Sequence, residues 1–184
     1  MKKCLVTGGA GFIGSHITAE LVNRGCEVTV FDNLSTGKLE NMESFINDVN
    51  FVQGSITDIE LLNETFKGVD TIFHQAALAS VPRSVDDPLT SNEHNVNGTL
   101  NVLVAARDAE VSRVVYAASS SAYGDSDVLP KVETMMSKPM SPYAVNKYVG
   151  ELYLKVFNDI YGLSTIGLRY FNVFGERQDP QSQY

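Results

Sequence analysis

The chain has 184 residues, 43% of them hydrophobic and 20% charged, and 14 Lys+Arg against 22 Asp+Glu give it a net charge of −8. This length and composition suit one soluble domain with a substantial core and exclude a disordered chain. The acidic balance, with no Lys/Arg run, argues against a nucleic-acid partner. No apolar run reaches membrane-spanning length, and the first strand begins too early to leave room for a signal peptide, so a cytoplasmic protein with no membrane partner is expected. Cys4 and Cys26 fit no metal pattern and read as packed residues in a reducing compartment, with no metal site expected.

Strand and helix patterns alternate along the chain. Leu5 and Val6 belong to a short buried strand, and Gly8, Gly11 and Gly14 follow at three-residue spacing. Ile13, Ile17, Leu21 and Val22 then carry a helix over Phe12 to Arg24, which Gly25 ends. The second strand, 27–31, closes on Asp32. Each glycine has a physical reason: a tight turn, close approach of the backbone to a pyrophosphate, and close packing of helix on sheet. The helix N-terminus offers unpaired N–H groups to phosphates. Asp32, about twenty residues on, stands at the ribose position of the dinucleotide fingerprint and favours NAD over NADP, because a carboxylate repels a 2′-phosphate.

A polar loop over Asn33–Gly37 precedes a short helix over Leu39–Ile46 and a third strand, Asn50–Gln53. Asp58 caps a helix running to Phe66, and Val69–His74 form the fourth strand. Ala76 to Asp87 reads as a loop, and Asp87-Pro88 opens one long helix to about Ala109. The fifth strand is Arg113–Ala118, a second loop ends at the Ser141-Pro142 cap, and the next helix runs to about Tyr161. Ser164–Arg169 form the sixth strand. Apolar strands bounded by helices imply a Rossmann-type α/β fold, a doubly wound parallel sheet ordered 3-2-1-4-5-6 with room for a seventh strand and helices on both faces. Its ligand crevice lies at the carboxyl ends of strands one and four.

The remaining chemistry-bearing residues fall at those strand ends. Tyr143 and Lys147 are four apart, hence one above the other on a helix face. A nearby ammonium favours the phenolate, so such a tyrosine can serve as general base toward a substrate hydroxyl. Ser119, Ser120 and Ser121 follow the fifth strand, where a hydroxyl can bond both the tyrosine and a substrate oxygen. A turn rich in backbone bonds accounts equally well for at least one of the three.

Taken together, Thr7–Gly14, Asp32–Ser35, His74–Ala77, Asn95–Thr99, Ser119–Gly124, the Tyr143/Lys147 pair and Leu168–Asn172 resemble the extended short-chain dehydrogenase/reductases that modify nucleotide sugars. Three serines after the fifth strand resemble the 4-epimerases, since sugar dehydratases carry acids there. Ala79–Ser84, Ala117–Ser119 and Arg177–Pro180 look most like the UDP-N-acetylglucosamine 4-epimerases.

The resemblance implies a division of labour. Gly8, Gly11, Phe12, Ile13 and Gly14 hold the NAD pyrophosphate and Asp32 the adenosine ribose, with Asn33, Ser35, Thr36 and Gly37 close by. Ser55 and Ile56 lie at the adenine, Ala76, Ala77 and Asn95 line the cofactor, Lys147 bonds the nicotinamide ribose, and Phe171 abuts the nicotinamide. Tyr143 and Ser119 act on the 4-hydroxyl of a UDP-hexose, with Ser120 and Ser121 as alternatives to Ser119. Ser80 and Arg83 lie near the sugar and Asn172 at the UDP phosphates. A homodimer through a four-helix interface, built from the 88–109 and Tyr143 helices, is implied as well; the apolar outer faces of both helices are equally compatible with core.

Two positions depart from the family pattern. Ser55 stands where an aspartate usually bonds the adenine amino group, which predicts weaker anchoring by roughly 1 kcal/mol. Glu176 replaces a proline or basic residue. The sequence ends at Gln181-Ser182-Gln183-Tyr184, inside a motif that family members continue into a substrate-binding part. Residues 1–184 are therefore expected to be the NAD-binding domain with the catalytic residues, without the remainder of the sugar site.

Overall fold

Six short strands pair in parallel in the order β3-β2-β1-β4-β5-β6: β1 Lys3–Thr7, β2 Glu27–Asp32, β3 Val49–Gln53, β4 Thr71–His74, β5 Arg113–Ser119 and β6 Ser164–Tyr170. The structure is a computed structural model that describes residues 1–180; the terminal Gln181–Tyr184 lies outside the described residues. Register sets the functional end. Thr7 lies opposite both Phe31 and His74, and Ser119 opposite Tyr170, so these carboxyl ends share one edge of the sheet.

Alternation along the strands divides the core. Val30 joins Ala10, Met42 and Phe45 beneath the first connection, while its neighbour Phe31 joins Leu5, Ile72, Leu103 and Val114 on the opposite face. Helix α1, Phe12–Asn23, packs on β1 and β2 through its small residues Gly14, Ser15 and Thr18, all buried. On the other face lie α2 (Ile59–Thr65), α5 (Gly98–Asp108) and α6 (Pro142–Tyr161), with α5 touching both neighbours. Asp58 and Ser141 cap α2 and α6 by accepting the N–H groups of Leu61 and Ala144, as their positions predict.

Three segments differ from the sequence expectation. The stretch 39–46 forms two 3₁₀ turns, Leu39–Met42 and Ile46–Asp48, instead of a helix. Met42 and Phe45 are buried three residues apart, the 3₁₀ repeat. The supposed loop 76–87 contains a short helix, α3 (Val81–Asp86), started by Ser80, whose hydroxyl accepts the Arg83 N–H, and by a proline in the first turn. The expected long helix 88–109 is helical without a break over 88–108, but its winding changes along the way: α4 (Pro88–Asn92), a π-helical turn over Glu93–Asn97, and α5.

Candidate active site

The glycine turn is shaped by contacts that leave no space for side chains. Gly8 has φ +70°, and a Cβ there would stand 2.7 Å from the Ala76 nitrogen. A Cβ on Gly14 would stand 2.0 Å from the Gly8 oxygen. Helix α1 starts at Gly11 with no side-chain cap and no acid in its first turn. Its leading N–H groups and dipole are therefore left for an anion. Thr7 and Ala76 close the turn from β1 and β4, the Ala76 N–H donating to the Thr7 hydroxyl at 3.3 Å.

Asp32 is fixed by two backbone donors. Its carboxylate accepts from Ala10 N–H at 3.0 Å and Leu34 N–H at 2.8 Å. Burial raises its pKa, and these two bonds pull against that rise. Gly37 stands against the same group: a Cβ there would come within 2.9 Å of a carboxylate oxygen. The Lys38 N–H and the Asn41 side chain both donate to the Ala10 carbonyl, at 3.0 and 2.8 Å.

At the other end, Lys147 is buried beneath the Tyr116 ring, 4.8 Å from its centroid, and donates to the Ala117 carbonyl at 3.0 Å. Its nitrogen is 6.0 Å from the Tyr143 ring centre. Burial lowers the ammonium pKa to about 8. The Ser119 hydroxyl oxygen accepts from the Ser121 N–H at 3.2 Å and the Ser121 hydroxyl at 2.8 Å. Its own hydrogen remains to be donated, which suits a group that polarises a substrate oxygen. Tyr143 is tied to α3 through its backbone, its N–H donating to the Ser84 hydroxyl at 3.0 Å.

Behind Phe171 lies a stiff support. Arg169 makes a two-point ion pair with Glu151, at 2.8 and 2.7 Å, and lies 4.5 Å over the Tyr123 ring, which stacks in turn on Phe171. Burial and bidentate geometry make this pair stronger than an ordinary surface bridge.

These parts face one cleft of about 1060 Å³. It brings together Gly8, Gly11, Phe12, Ile13, Gly14, Asp32, Asn33, Ser35, Thr36, Ile56, Ala76 and Ala77 with Ser80, Arg83, Ser119, Ser120, Ser121, Tyr143, Lys147, Phe171 and Asn172. Three expected residues do not line it. Gly37 stands behind Asp32. Ser55 turns its hydroxyl to Thr57, at 2.8 Å. Asn95 is buried behind the 76–79 loop and holds Leu78 by both its N–H and its carbonyl. Arg177, from the 177–180 segment, also lines the cleft, as do Lys38, Asn41, Leu78 and His94, which the sequence does not single out; of these four only the basic residues carry a usable signal, as charges next to a candidate phosphate site. Lys38, Arg83, Lys147 and Arg177 face Asp32, Glu40 and Asp179 there, a basic excess within a chain of net charge −8. That local balance suits an anionic ligand.

Comparison with known proteins shows the family of the chain and the likeness of its fold to solved structures. The family model described as "NAD dependent epimerase/dehydratase family" matches residues 4–184. A UDP-N-acetylglucosamine 4-epimerase from Methanobrevibacter ruminantium, solved in complex with UDP-N-acetylmuramic acid, is 43% identical with a TM-score of 0.95, covering 100% of this chain and 59% of that one. The UDP-glucose 4-epimerase of Thermus thermophilus, solved with NAD, is 44% identical with a TM-score of 0.93, over 98% of this chain and 58% of that one. The UDP-glucose 4-epimerase of Mycolicibacterium smegmatis is 42% identical over 98% of this chain and 59% of its own length. The chain thus spans just over half the length of the relatives it matches.

Proposed function

We propose that this chain, which belongs to the NAD dependent epimerase/dehydratase family, is the cofactor-binding and proton-handling domain of an NAD-dependent epimerase that inverts C4 of a UDP-hexose. The observation that carries the reading is the convergence of the glycine turn, Asp32, the 119–121 serines and the Tyr143/Lys147 face on one cleft. The residues fit the dinucleotide: a tight glycine turn that Gly8 and Gly14 close against the chain's own backbone, an uncapped helix N-terminus on the cleft, and a buried carboxylate whose oxygens each keep acceptor capacity beyond one backbone bond.

NAD, when bound, supplies reversible hydride acceptance. The chain's own residues do the rest. Gly8 and Gly11–Gly14 bind the pyrophosphate and Asp32 the adenosine ribose. Lys147 bonds the nicotinamide ribose and, by its charge, favours the Tyr143 phenolate. Tyr143 removes the proton from the 4-hydroxyl and returns it after inversion, while Ser119 donates to the same oxygen. Ser80, Arg83 and Asn172 contribute the chain's share of the sugar and phosphate contacts. The serines at 119–121 favour epimerisation over dehydration, which needs an additional acid and base. The hexose is of the UDP-N-acetylglucosamine/UDP-N-acetylgalactosamine or the UDP-glucose/UDP-galactose pair, the segments 79–84 and 177–180 resembling enzymes of the first, and the cytoplasm is the expected compartment.

Helix α6 exposes Val145, Leu152, Val156 and Ile160 along one stripe, which supports a homodimer through paired helices.

Incubation with NAD and UDP-N-acetylglucosamine should yield UDP-N-acetylgalactosamine, and Tyr143→Phe should abolish the product while leaving NAD affinity within about twofold. Bound NAD without turnover in the wild type would instead make this chain a binding module. Absence of NAD binding would refute the reading.

A further inference from the structure

A chain of buried hydrogen bonds, side chain to side chain except where Thr99 meets the main-chain carbonyl of Asn95, runs from the glycine turn to the helix that carries Tyr143 and Lys147. It begins where the Ala76 N–H donates to the Thr7 hydroxyl, which lies 2.7 Å from His74 Nδ1. His74 Nε2 lies 3.1 Å from the Thr99 hydroxyl, which donates to the Asn95 carbonyl at 2.8 Å. The direction of each bond follows. Thr99 has spent its hydrogen, so His74 must donate from Nε2 and accept at Nδ1 from Thr7. Burial, reinforced by the Lys147 charge, pushes the imidazole pKa down to about 3 and keeps it in that neutral form.

From Asn95 the chain divides. One arm clamps the cofactor loop: Asn95 Oδ1 accepts from Leu78 N–H at 2.8 Å, and its Nδ2 donates to the Leu78 carbonyl at 3.1 Å. The other arm crosses to α6. Asn95 Nδ2 reaches the Ser91 hydroxyl at 3.3 Å, Ser91 donates to Asn146 Oδ1 at 3.0 Å, and Asn146 Nδ2 donates to Asn92 Oδ1 at 3.3 Å. Thr7, His74, Ser91, Asn95, Thr99 and Asn146 are each at most 5% exposed. Six buried polar side chains in contact cost desolvation that apolar replacements would avoid. The π turn over Glu93–Asn97 lies in the middle of this course, between Ser91 and Thr99.

We propose that Asn146 is a positioning residue, which through Ser91 and Asn95 holds the Tyr143–Lys147 face of α6 in register with the cofactor loop at Leu78. Asn146 touches neither ligand surface; it acts on Tyr143 and Lys147 by fixing the helix between them. The inference rests on the reading of the cleft as an NAD and UDP-hexose site, but the coupling is a property of the ligand-free chain.

Hydrogen exchange of the Leu78 amide and the pH titration of the Tyr143 phenol, both by NMR on the ligand-free chain, test it. Ser91→Ala and Asn146→Ala each remove two buried bonds of the network and should each speed Leu78 exchange by about tenfold, the part of that loss relayed across the molecule. In the other direction, Asn95→Ala should move the Tyr143 titration midpoint by roughly half a pH unit. Thr165→Val removes a hydroxyl bonded to the Leu154 carbonyl of α6 and should change neither. Should Asn146→Ala fail to fold, Ser91→Ala carries the same test. A protected Leu78 amide that ignores both substitutions, or responds equally to Thr165→Val, would overturn the proposal. NAD affinity, measured separately, tests the functional reading alone: a wild type that binds no NAD but shows the coupling refutes that reading and leaves the positioning role standing.

Discussion

The turn after β1 and the face of α6 border one cleft and are built from different materials. The turn is backbone: Gly8 and Gly14 approach neighbouring main-chain atoms so closely that shape itself makes the site. The α6 side is side chain: a buried ammonium and a phenol on the helix and a serine hydroxyl at the end of β5, with the helix held by polar groups from α3, α4 and β5. A backbone site tolerates almost no substitution and needs no titration. A side-chain site tolerates shape changes better, and it responds to pH and to the loss of single hydrogen bonds.

Gly14→Ala is the largest expected effect. Its Cβ would overlap the Gly8 carbonyl at 2.0 Å and stand 2.9 Å from the Gly9 Cα, both main-chain atoms that cannot move without opening the turn. Loss of more than about 4 kcal/mol, or of folding altogether, should follow in denaturant unfolding. Gly25→Ala is the contrasting control. Gly14 sits inside helix α1 without a positive φ, whereas Gly25 has φ +72° and nothing within 4 Å of its Cβ; only the conformational cost of about 1 kcal/mol should appear. Equal losses would show that the close approach at Gly14 costs no more than an ordinary backbone substitution.

On the side-chain half, His74 makes the strongest pH dependence. Its folded pKa of about 3 lies below the ordinary 6.5. Between these values the unfolded chain binds the extra proton, so stability falls as pH drops below 6.5, by as much as about 1.4 kcal/mol per pH unit. His74→Asn keeps an acceptor for Thr7 without the titration, and its unfolding free energy should show a shallower acid limb over that window. An unchanged slope would assign the acid sensitivity to the carboxylates.

Lys147 acts in the opposite range. Its folded pKa of about 8 lies below the ordinary 10.5, so the unfolded chain holds more protons between these values and stability should rise with pH across that window. The full penalty, roughly 3 kcal/mol, is present below pH 8. Lys147→Met should flatten the alkaline rise in unfolding free energy. The slope is the readout, because the substitution also leaves the Ala117 carbonyl without its donor.

The same contrast explains what can be read in advance. The glycine spacing, Asp32 and the caps at Asp58 and Ser141 are local signals: each needs only residues a few positions apart, and the sheet order follows from the alternation of strands and helices. The α6 network is tertiary. Ser91, Asn95 and Asn146 come together only because α4 and the π turn pack on α6, and nothing in their spacing announces it. The sequence accordingly places Asn95 along the cofactor, whereas it lies behind the loop it clamps. Helix α3 is hidden by its shortness, six residues, and by a loop-like composition.

Ser55 is the smallest expected effect and lies between the two kinds of site. Its hydroxyl sits 2.8 Å from the Thr57 hydroxyl and accepts from the Thr57 N–H at 3.3 Å, closing a turn under the rim instead of facing the cleft. An aspartate can close the same turn with one oxygen and keep a second for the cleft, next to Ile56, which does line it. Ser55→Asp should therefore leave stability nearly unchanged and tighten NAD binding by roughly fivefold, the equivalent of about 1 kcal/mol. Calorimetric titration with NAD measures it directly. If affinity does not rise, this rim contributes through its backbone alone, and the boundary between the backbone site and the side-chain site runs on the far side of Ser55.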